Sequence, residues 1–302
     1  MQRVRRVGVS NSAQLFSCSA PVPARAGVGL KAEHYRDILE QKPEIGWFEV
    51  HAENYMGEGG PPHHYLSAIR DLYPLSVHGV GLSIGADGPL DDDHLASLRA
   101  VCERYEPGLV SEHLAWSTHE GVYLNDLLPV PYNGETLARV CDHIDQVQET
   151  LGRRMLLENP STYVAFAQSD MGEIDFLQAI ASRTGCGLLF DVNNVQVSAT
   201  NHAYDPVAYI DAFPVEHVGE IHLGGHAVDQ GDDGEALLID AHGSAVTDEV
   251  WALYAHAVQR CGATPTLIEW DNDVPGWDVL GAEARRADTV LADRATNYAA
   301  AV

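Results

Sequence analysis

The segment Glu220-Ile-His-Leu-Gly-Gly-His226 sets two imidazoles four residues apart with two glycines between them. That spacing would put both on one helix face, but adjacent glycines lose too much backbone entropy for a helix to hold there. VGEIHL (218–223) reads instead as a strand ending near His222, with Gly224-Gly225-His226 as the loop that leaves it. A lone histidine of this kind is ordinarily a satisfied polar side chain. Here the arrangement recurs. Short apolar runs end on His51 and Glu53, on His78, on Glu112 and His113, and on Glu158 and Asn159. Others end on Asp191 with Asn193 and Asn194, on His222, and on Glu269 with Asp271. So many carboxylates gathered in one pocket would be costly without a cation, and a bound ion reverses that cost. Mixed His, Asp, Glu and Asn donors suit Fe, Mn or Zn. One ion takes about four to six donors, fewer than these runs offer, so at least two metals sharing a carboxylate are expected. Two-metal hydrolysis and metal-dependent oxidation both fit such a donor set.

The segment after the seventh run, 224–246, is long for a connection and contains GDDGEALLIDAHG. Long ordered loops are usually functional. ALLIDAH reads as a short extended stretch, on which Asp240 and His242, two apart, share a face and form a chelating pair. The glycines before it are expected to let the chain turn sharply at the cavity, with His222 a metal ligand at the strand end and His226 left open as a further one.

Donors spread over the whole chain meet only if regular elements carry them to one place. Eight β-type runs serve: 27–30, 47–53, 75–80, 109–116, 155–160, 187–194, 218–223 and 266–271. A helical pattern follows each. In the fourth, Leu137, Val140, Cys141, Ile144, Val147 and Leu151 recur at helical steps behind Asn133. Asp170 with Glu173 suggests a capping box for the fifth, Asp205-Pro206 a cap and first-turn proline for the sixth, and Thr247 a cap for the seventh. Eight alternations without a linker predict one α/β domain, a (β/α)8 TIM-type barrel over 27–302, with its site at the C-terminal ends of the strands. An open doubly wound sheet would show a glycine-rich turn after its first strand, and GVGLKAEH has no GxGxxG. Residues 1–26 are expected to be a disordered or loosely attached leader.

Composition narrows the partners. Eighteen basic against 44 acidic residues give a formal charge of −26, which repels phosphate backbones and anionic lipid, so neither nucleic acid nor membrane is an expected partner. Five cysteines (Cys18, Cys102, Cys141, Cys186, Cys261) without a CxxC pair fit a reducing, cytoplasmic setting.

In order and spacing, FEVHAENYM, SVHGVGLSIG, SEHLAWS, LLENPSTY, LLFDVNNVQVSATNH, GEIHLGGH, IDAHG and IEWD resemble the multinuclear non-heme iron-dependent oxidative enzymes. That family includes the methanobactin-maturing oxidase and the enzyme that excises a cysteine β-carbon in thiol-peptide biosynthesis. The resemblance covers about residues 27–285. It implies a TIM-type barrel with two or three irons, a mixed Fe(II)/Fe(III) pair, and O2 as co-substrate. The implied substrate is a residue, usually cysteine, of a ribosomally made precursor peptide, presented by a separate leader-binding partner protein. Carried over motif by motif, His51, His78 and Glu112 are expected on one iron, with Glu112 bridging. Asn159, Asp191, His222 and Glu269 would serve a second, and Asp240 with His242, joined by Asn194 or His226, a third. Glu53, His113 and Glu158 are expected as further ligands or as groups that orient them. The loop 117–132 is expected near the peptide. Two other readings stand beside this one: a Zn or Mn barrel enzyme of xylose-isomerase or endonuclease-IV type, and a non-catalytic metal-binding accessory subunit.

Overall fold

A computed structural model describes residues 21–119, 122–231 and 234–301. In chain order the strands begin with β1 (Ala26–Gly29), β2 (Trp47–His51), β3 (Leu75–Gly79), β4 (Leu109–His113), β5 (Trp116–His119) and β6 (Val122–Leu128). There follow β7 (Leu156–Glu158), β8 (Gly187–Asp191), β9 (Val218–Gly224), β10 (Ala227–Gln230), β11 (Ala236–Ile239) and β12 (Thr266–Glu269). The helices are α1 (Tyr35–Gln41), α2 (Pro61–Arg70), α3 (Asp92–Tyr105), α4 (Gly134–Leu151) and α5 (Glu173–Thr184). After them come α6 (Val192–His202), α7 (Pro206–Ala212), α8 (Asp248–Cys261) and α9 (Trp277–Ala301).

Eight of the strands close a parallel barrel in the order β1-β12-β9-β8-β7-β4-β3-β2, the TIM-type architecture expected from the alternation. The two hairpins, β5–β6 and β10–β11, stand apart from it in the connections after β4 and β9. The strand interior is sorted by its two-residue period. On β2, Phe48 and Val50 face the helices and join the apolar core. Glu49 points the other way, accepting from Ser76 Oγ of β3 at 2.8 Å inside the barrel. Phe190 stacks on Phe213, and Trp47 lies so close to β1 that a Cβ on Gly27 would fall 2.4 Å from its ring. Each such fully buried large side chain contributes roughly 1.5–3 kcal/mol of transfer free energy.

Several expected boundaries differ. Asp191 ends β8 and caps α6, accepting from Asn194 N–H at 2.6 Å, so Asn193 and Asn194 are helical rather than strand residues. Asn133, Asp205 and Thr247 cap α4, α7 and α8 as expected. The capping box at α5 does not form: Gly172 occupies the cap position, and Glu173 is the first helical residue. The fourth strand stops at His113, because the chain turns and starts the β5–β6 hairpin at Trp116. The loop 117–132 therefore contains a hairpin, on which Val122 and Tyr123 are exposed. At the N-terminus the barrel already includes Ala26, and Arg25 is tied to Asp288 of α9 at 2.9 Å. Residues 1–20, the bulk of the expected leader, lie outside the described residues. Among the described residues no helix is long and apolar enough to cross a membrane. Cys102, Cys141, Cys186 and Cys261 are all free thiols, with pKa values raised by burial, and Cys18 lies outside the described residues.

Candidate metal centre

Parallel register brings the strand ends to one level. His51 lies opposite His78, His113 opposite Glu158, and Asp191 opposite His222. Their donor atoms fall into contiguous groups. His78, His113 and Glu158 form one; Glu158, Asp191 and His222 a second; Asp191, His242 and Glu269 a third; His51, Glu269 and Asp271 a fourth. A deeper group, Glu49, Glu220 and His222, lies beneath them.

In the first group, Glu158 Oε2 is 3.4 Å from His78 Nε2 and 3.3 Å from His113 Nε2. The back of each ring is held: His78 Nδ1 is 2.7 Å from Ser111 Oγ, and His113 Nδ1 is 3.1 Å from the Gly79 carbonyl oxygen. A carbonyl only accepts, so His113 Nδ1 carries the proton and a neutral ring turns its Nε2 lone pair inward. In the third group, His242 Nδ1 is 3.5 Å from Glu269 Oε1, and from outside the group Asp240 Oδ1 approaches His242 Nε2 at 2.7 Å. The pair meets without sharing a strand. β11 ends at Ile239, and His242 takes a left-handed φ of 44° that swings its ring back toward Asp240.

The glycines of the opening segment act by absence of a side chain. Neither Gly224 nor Gly225 adopts positive φ. A Cβ on Gly224 would fall 2.6 Å from His242 Cδ2, and one on Gly225 would fall 2.2 Å from the Ser244 carbonyl oxygen. They admit the returning leg of the loop rather than making a turn.

The centre fits cations on its own chemistry. Glu158 Oε2, Asp191 Oδ2, Asn194 Oδ1, Glu220 Oε1, His222 Nε2 and His242 Nε2 are buried without a hydrogen-bond partner. Two of these lie near carboxylates without hydrogen-bond alignment: His222 Nε2 is 3.4 Å from Glu49 Oε1, and His242 Nε2 faces Asp240. Buried polar atoms are nearly always paired, so orphans on Glu158, Asp191, Glu220, His222 and His242, all members of overlapping donor groups, mark a place for ions. The electrostatics agree. Burial and the neighbouring carboxylates hold the Asp191 carboxyl well above its usual range. Burial lifts Glu158 to about 7, although His113 opposes it, and burial with Glu49 lifts Glu220 to about 8. Burial resists charging of His113, but Glu158 and Glu112 overcome it and push that ring up to about 9. His78 moves the opposite way, driven well below its usual value by burial and then by His113. Burial opposes ionisation of Glu269, yet His242 and His222 hold it well below the carboxylate range. Without a cation, this pocket must take up protons.

Not every residue singled out in the sequence joins a group. Both Glu112 oxygens are occupied by main chain: Oε1 accepts from Leu82 N–H at 2.8 Å and Oε2 from His113 N–H at 2.6 Å. Glu158, not Glu112, lies between two donor groups. Asn159 bonds both main-chain groups of Asp191, donating to its carbonyl at 3.0 Å and accepting from its N–H at 2.8 Å. Glu53 Oε1 accepts from Val80 and Gly81 N–H and meets His94 Nε2 at 3.2 Å, securing the segment after β3. Asn194 donates to Glu158 Oε1 at 3.3 Å. His226 Nδ1 lies 2.8 Å from Asn193 Oδ1, while Asn193 Nδ2 donates to Asp240 Oδ1 at 2.8 Å, so His226 stands one residue behind the centre. His51 joins Glu269 and Asp271, at 3.8 and 3.5 Å, rather than Glu112. Glu49 and Glu220 were missed by the strand-end criterion, although their signal was present. Each lies two residues before a strand-end histidine, on the same inward face.

The sequence profile of one family, described as the RiPP precursor modification enzyme MbnB/TglH/ChrH, matches residues 25–292. A UPF0276 protein of Paraburkholderia phytofirmans is 54% identical over 286 residues, 93% of each chain. Another, of Rhizobium meliloti, is 53% identical over 272 residues, covering 90% of this chain and 88% of the relative. Among solved structures, endonuclease IV of Thermus thermophilus superposes with a TM-score of 0.57 at 16% identity, covering 90% of this chain and 99% of that one. An L-ribulose 3-epimerase gives 0.60 at 14% identity, covering 92% and 97%. At such identities the likeness establishes the barrel alone.

Proposed function

The chain belongs to the MbnB/TglH/ChrH family of RiPP precursor modification enzymes, and from that premise we propose that it oxidatively modifies a residue, cysteine above all, of a ribosomal precursor peptide, using two or three irons and O2. The observation that carries this reading is the run of donor groups joined through Glu158, Asp191 and Glu269, with buried unpartnered atoms on Glu158, Asp191, His222 and His242 among them. His78, His113 and Glu158 would hold one iron. Glu158, Asp191 and His222 would hold a second, and Asp191, His242 and Glu269, with Asp240 beside His242, a third. Iron would supply the O2 chemistry. The protein's part is to fix the donors and exclude water, with Ser111 and the Gly79 carbonyl orienting two of the rings. Asn193, between His226 and Asp240, steadies the third position. A separate leader-binding protein, implied by the family resemblance, would bring the peptide to this mouth.

Elemental analysis of the purified chain, followed by incubation with a cysteine-containing precursor and its partner in air and without O2, tests the proposal. Two or three irons per chain and an O2-dependent mass change are expected. Stoichiometric zinc, or turnover without O2, would move the protein to the isomerase- or hydrolase-like reading. Iron retained without O2 uptake, with peptide and partner present, would make it an accessory subunit.

A further inference from the structure

Basic residues are few at the mouth of the barrel, and the arginines that reach it from helices are paired, Arg139 of α4 with Asp87 at 2.9 Å and Arg286 of α9 with Asp248 at 3.1 Å. In the segments that follow the eight barrel strands (30–34, 52–60, 80–91, 114–133, 159–172, 192–205, 225–247 and 270–276), Lys31 is the sole lysine or arginine, and Asp271 holds it. Arg70, Arg104, Arg183 and Arg260 sit instead in the last turns of their helices, toward the opposite end. Helix dipoles favour that segregation, and its result is a negative field over the metal centre.

Within that field β10 has no strand on its outer side among the described residues. Among the described residues it pairs with β11 alone, and all four of its residues are exposed, Val228 at 71%. The outer edge of β11 is already closed: Asn201 accepts from Leu238 N–H at 2.9 Å and donates to the Leu238 carbonyl at 3.0 Å. Leu238 thus spends both main-chain groups away from β10. Its cross-strand partner Val228 therefore occupies a non-hydrogen-bonded pair, and the N–H and C=O of Val228 point out along the other edge. Gln230, the next residue in that register, has its N–H taken by Asp229 Oδ1 at 2.7 Å. The hairpin is rooted in the centre, between Gly224 at the end of β9 and Asp240. Open strand edges are ordinarily blunted, often by lysine, whereas the residues of β10 are Ala, Val, Asp and Gln.

We propose that the outer edge of β10 receives an extended, cationic segment of the substrate peptide as a third strand. Its basic side chains lie in the acidic mouth, and its course leads toward Asp240 and His242. Main-chain pairing at Val228 supplies sequence-tolerant affinity, and the charge supplies selection and a salt-dependent on-rate. The proposal rests on the peptide-modifying reading above.

The test uses the iron-loaded full chain and a short fluorescein-labelled peptide of alternating lysine and valine around one cysteine, read by fluorescence anisotropy. A second peptide carries glutamate for lysine. The lysine peptide is expected to bind and to weaken about tenfold or more between roughly 50 and 300 mM salt, with the glutamate peptide not binding. Val228→Pro removes the edge N–H without touching the β10–β11 ladder and should weaken binding about tenfold, with the circular dichroism of wild type. Val228→Ala keeps the N–H and should stay within about twofold of wild type. Equal binding of the two peptides, or wild-type affinity in Val228→Pro, overturns the proposal. So does a wild-type dimer that Val228→Pro converts to monomer, which would give the edge to a second copy. A chain that holds its iron and binds neither peptide sinks the edge and leaves the iron reading standing. Lysine-selective binding by a chain that retains no iron does the reverse.

Discussion

Glu112 and Glu158 both sit at strand ends, and at the residue scale their oxygens have opposite fates. Glu112 is spent on the amides of Leu82 and His113, so it fixes the segment after β3 and the start of the turn after β4. Glu158 keeps Oε2 buried, unpartnered and within 3.4 Å of two imidazoles. Glu158→Gln should therefore lose at least one metal per chain by elemental analysis while remaining folded. Glu112→Gln should retain its metals and lose about 1–3 kcal/mol of stability in thermal melts, because an amide NH2 cannot accept from a main-chain N–H. The reverse pattern would return the bridging role to Glu112. That a donor cluster lay at these strand ends was legible from residue types alone. Which carboxylate faced the cavity was not, since adjacent strand positions differ only in side, and side is fixed by register with neighbours far away in sequence. Glu49 and Glu220 were legible in principle, through their two-residue spacing from His51 and His222.

At the scale of elements, periodicity gave the eight strands and their helices because each buries one regular face. It failed where a polar side chain, not hydrophobic spacing, sets the boundary. Asp191 stops β8 and starts α6 in one residue, using the carboxylate that also faces Glu158 and His222. The loop after β9 shows the same dependence on close contact. His242 donates its N–H to the Gly225 carbonyl at 2.9 Å, and its ring lies over Gly224. Gly224→Ala should push that ring out of the third donor group, dropping metal content by about one equivalent with little change in the far-UV spectrum. Gly225→Ala meets backbone at 2.2 Å and cannot be relieved by a side-chain rotation. It should lower stability by about 1–3 kcal/mol or more in thermal melts. Wild-type metal content in Gly224→Ala would detach His242 from the centre.

The whole molecule leaves its acidic residues least balanced by lysine and arginine where its fold gathers helix N-termini, strand-end carboxylates and unpartnered buried donors. A barrel without cations must then hold Asp191, Glu158 and Glu220 protonated or repelling, within a cavity lined by the same strands that close the sheet. Ions and fold are thus linked, and a ligand that binds only the folded chain stabilises it by mass action. An ion present at 100 times its dissociation constant contributes about 2.7 kcal/mol, two such ions about twice that, and for a chain of 302 residues each kcal/mol moves the midpoint by about 1.6 °C. Stripping the metals with a chelator should lower Tm by about 5 °C or more, and Fe(II) should restore it under anaerobic conditions. The loss should be smaller in Glu158→Gln, which has fewer ions to give up. If the stripped and loaded chains melt together, the donor groups do not bind ions tightly enough to matter to the fold, and the orphaned atoms around Asp191 and His222 must be satisfied by water instead.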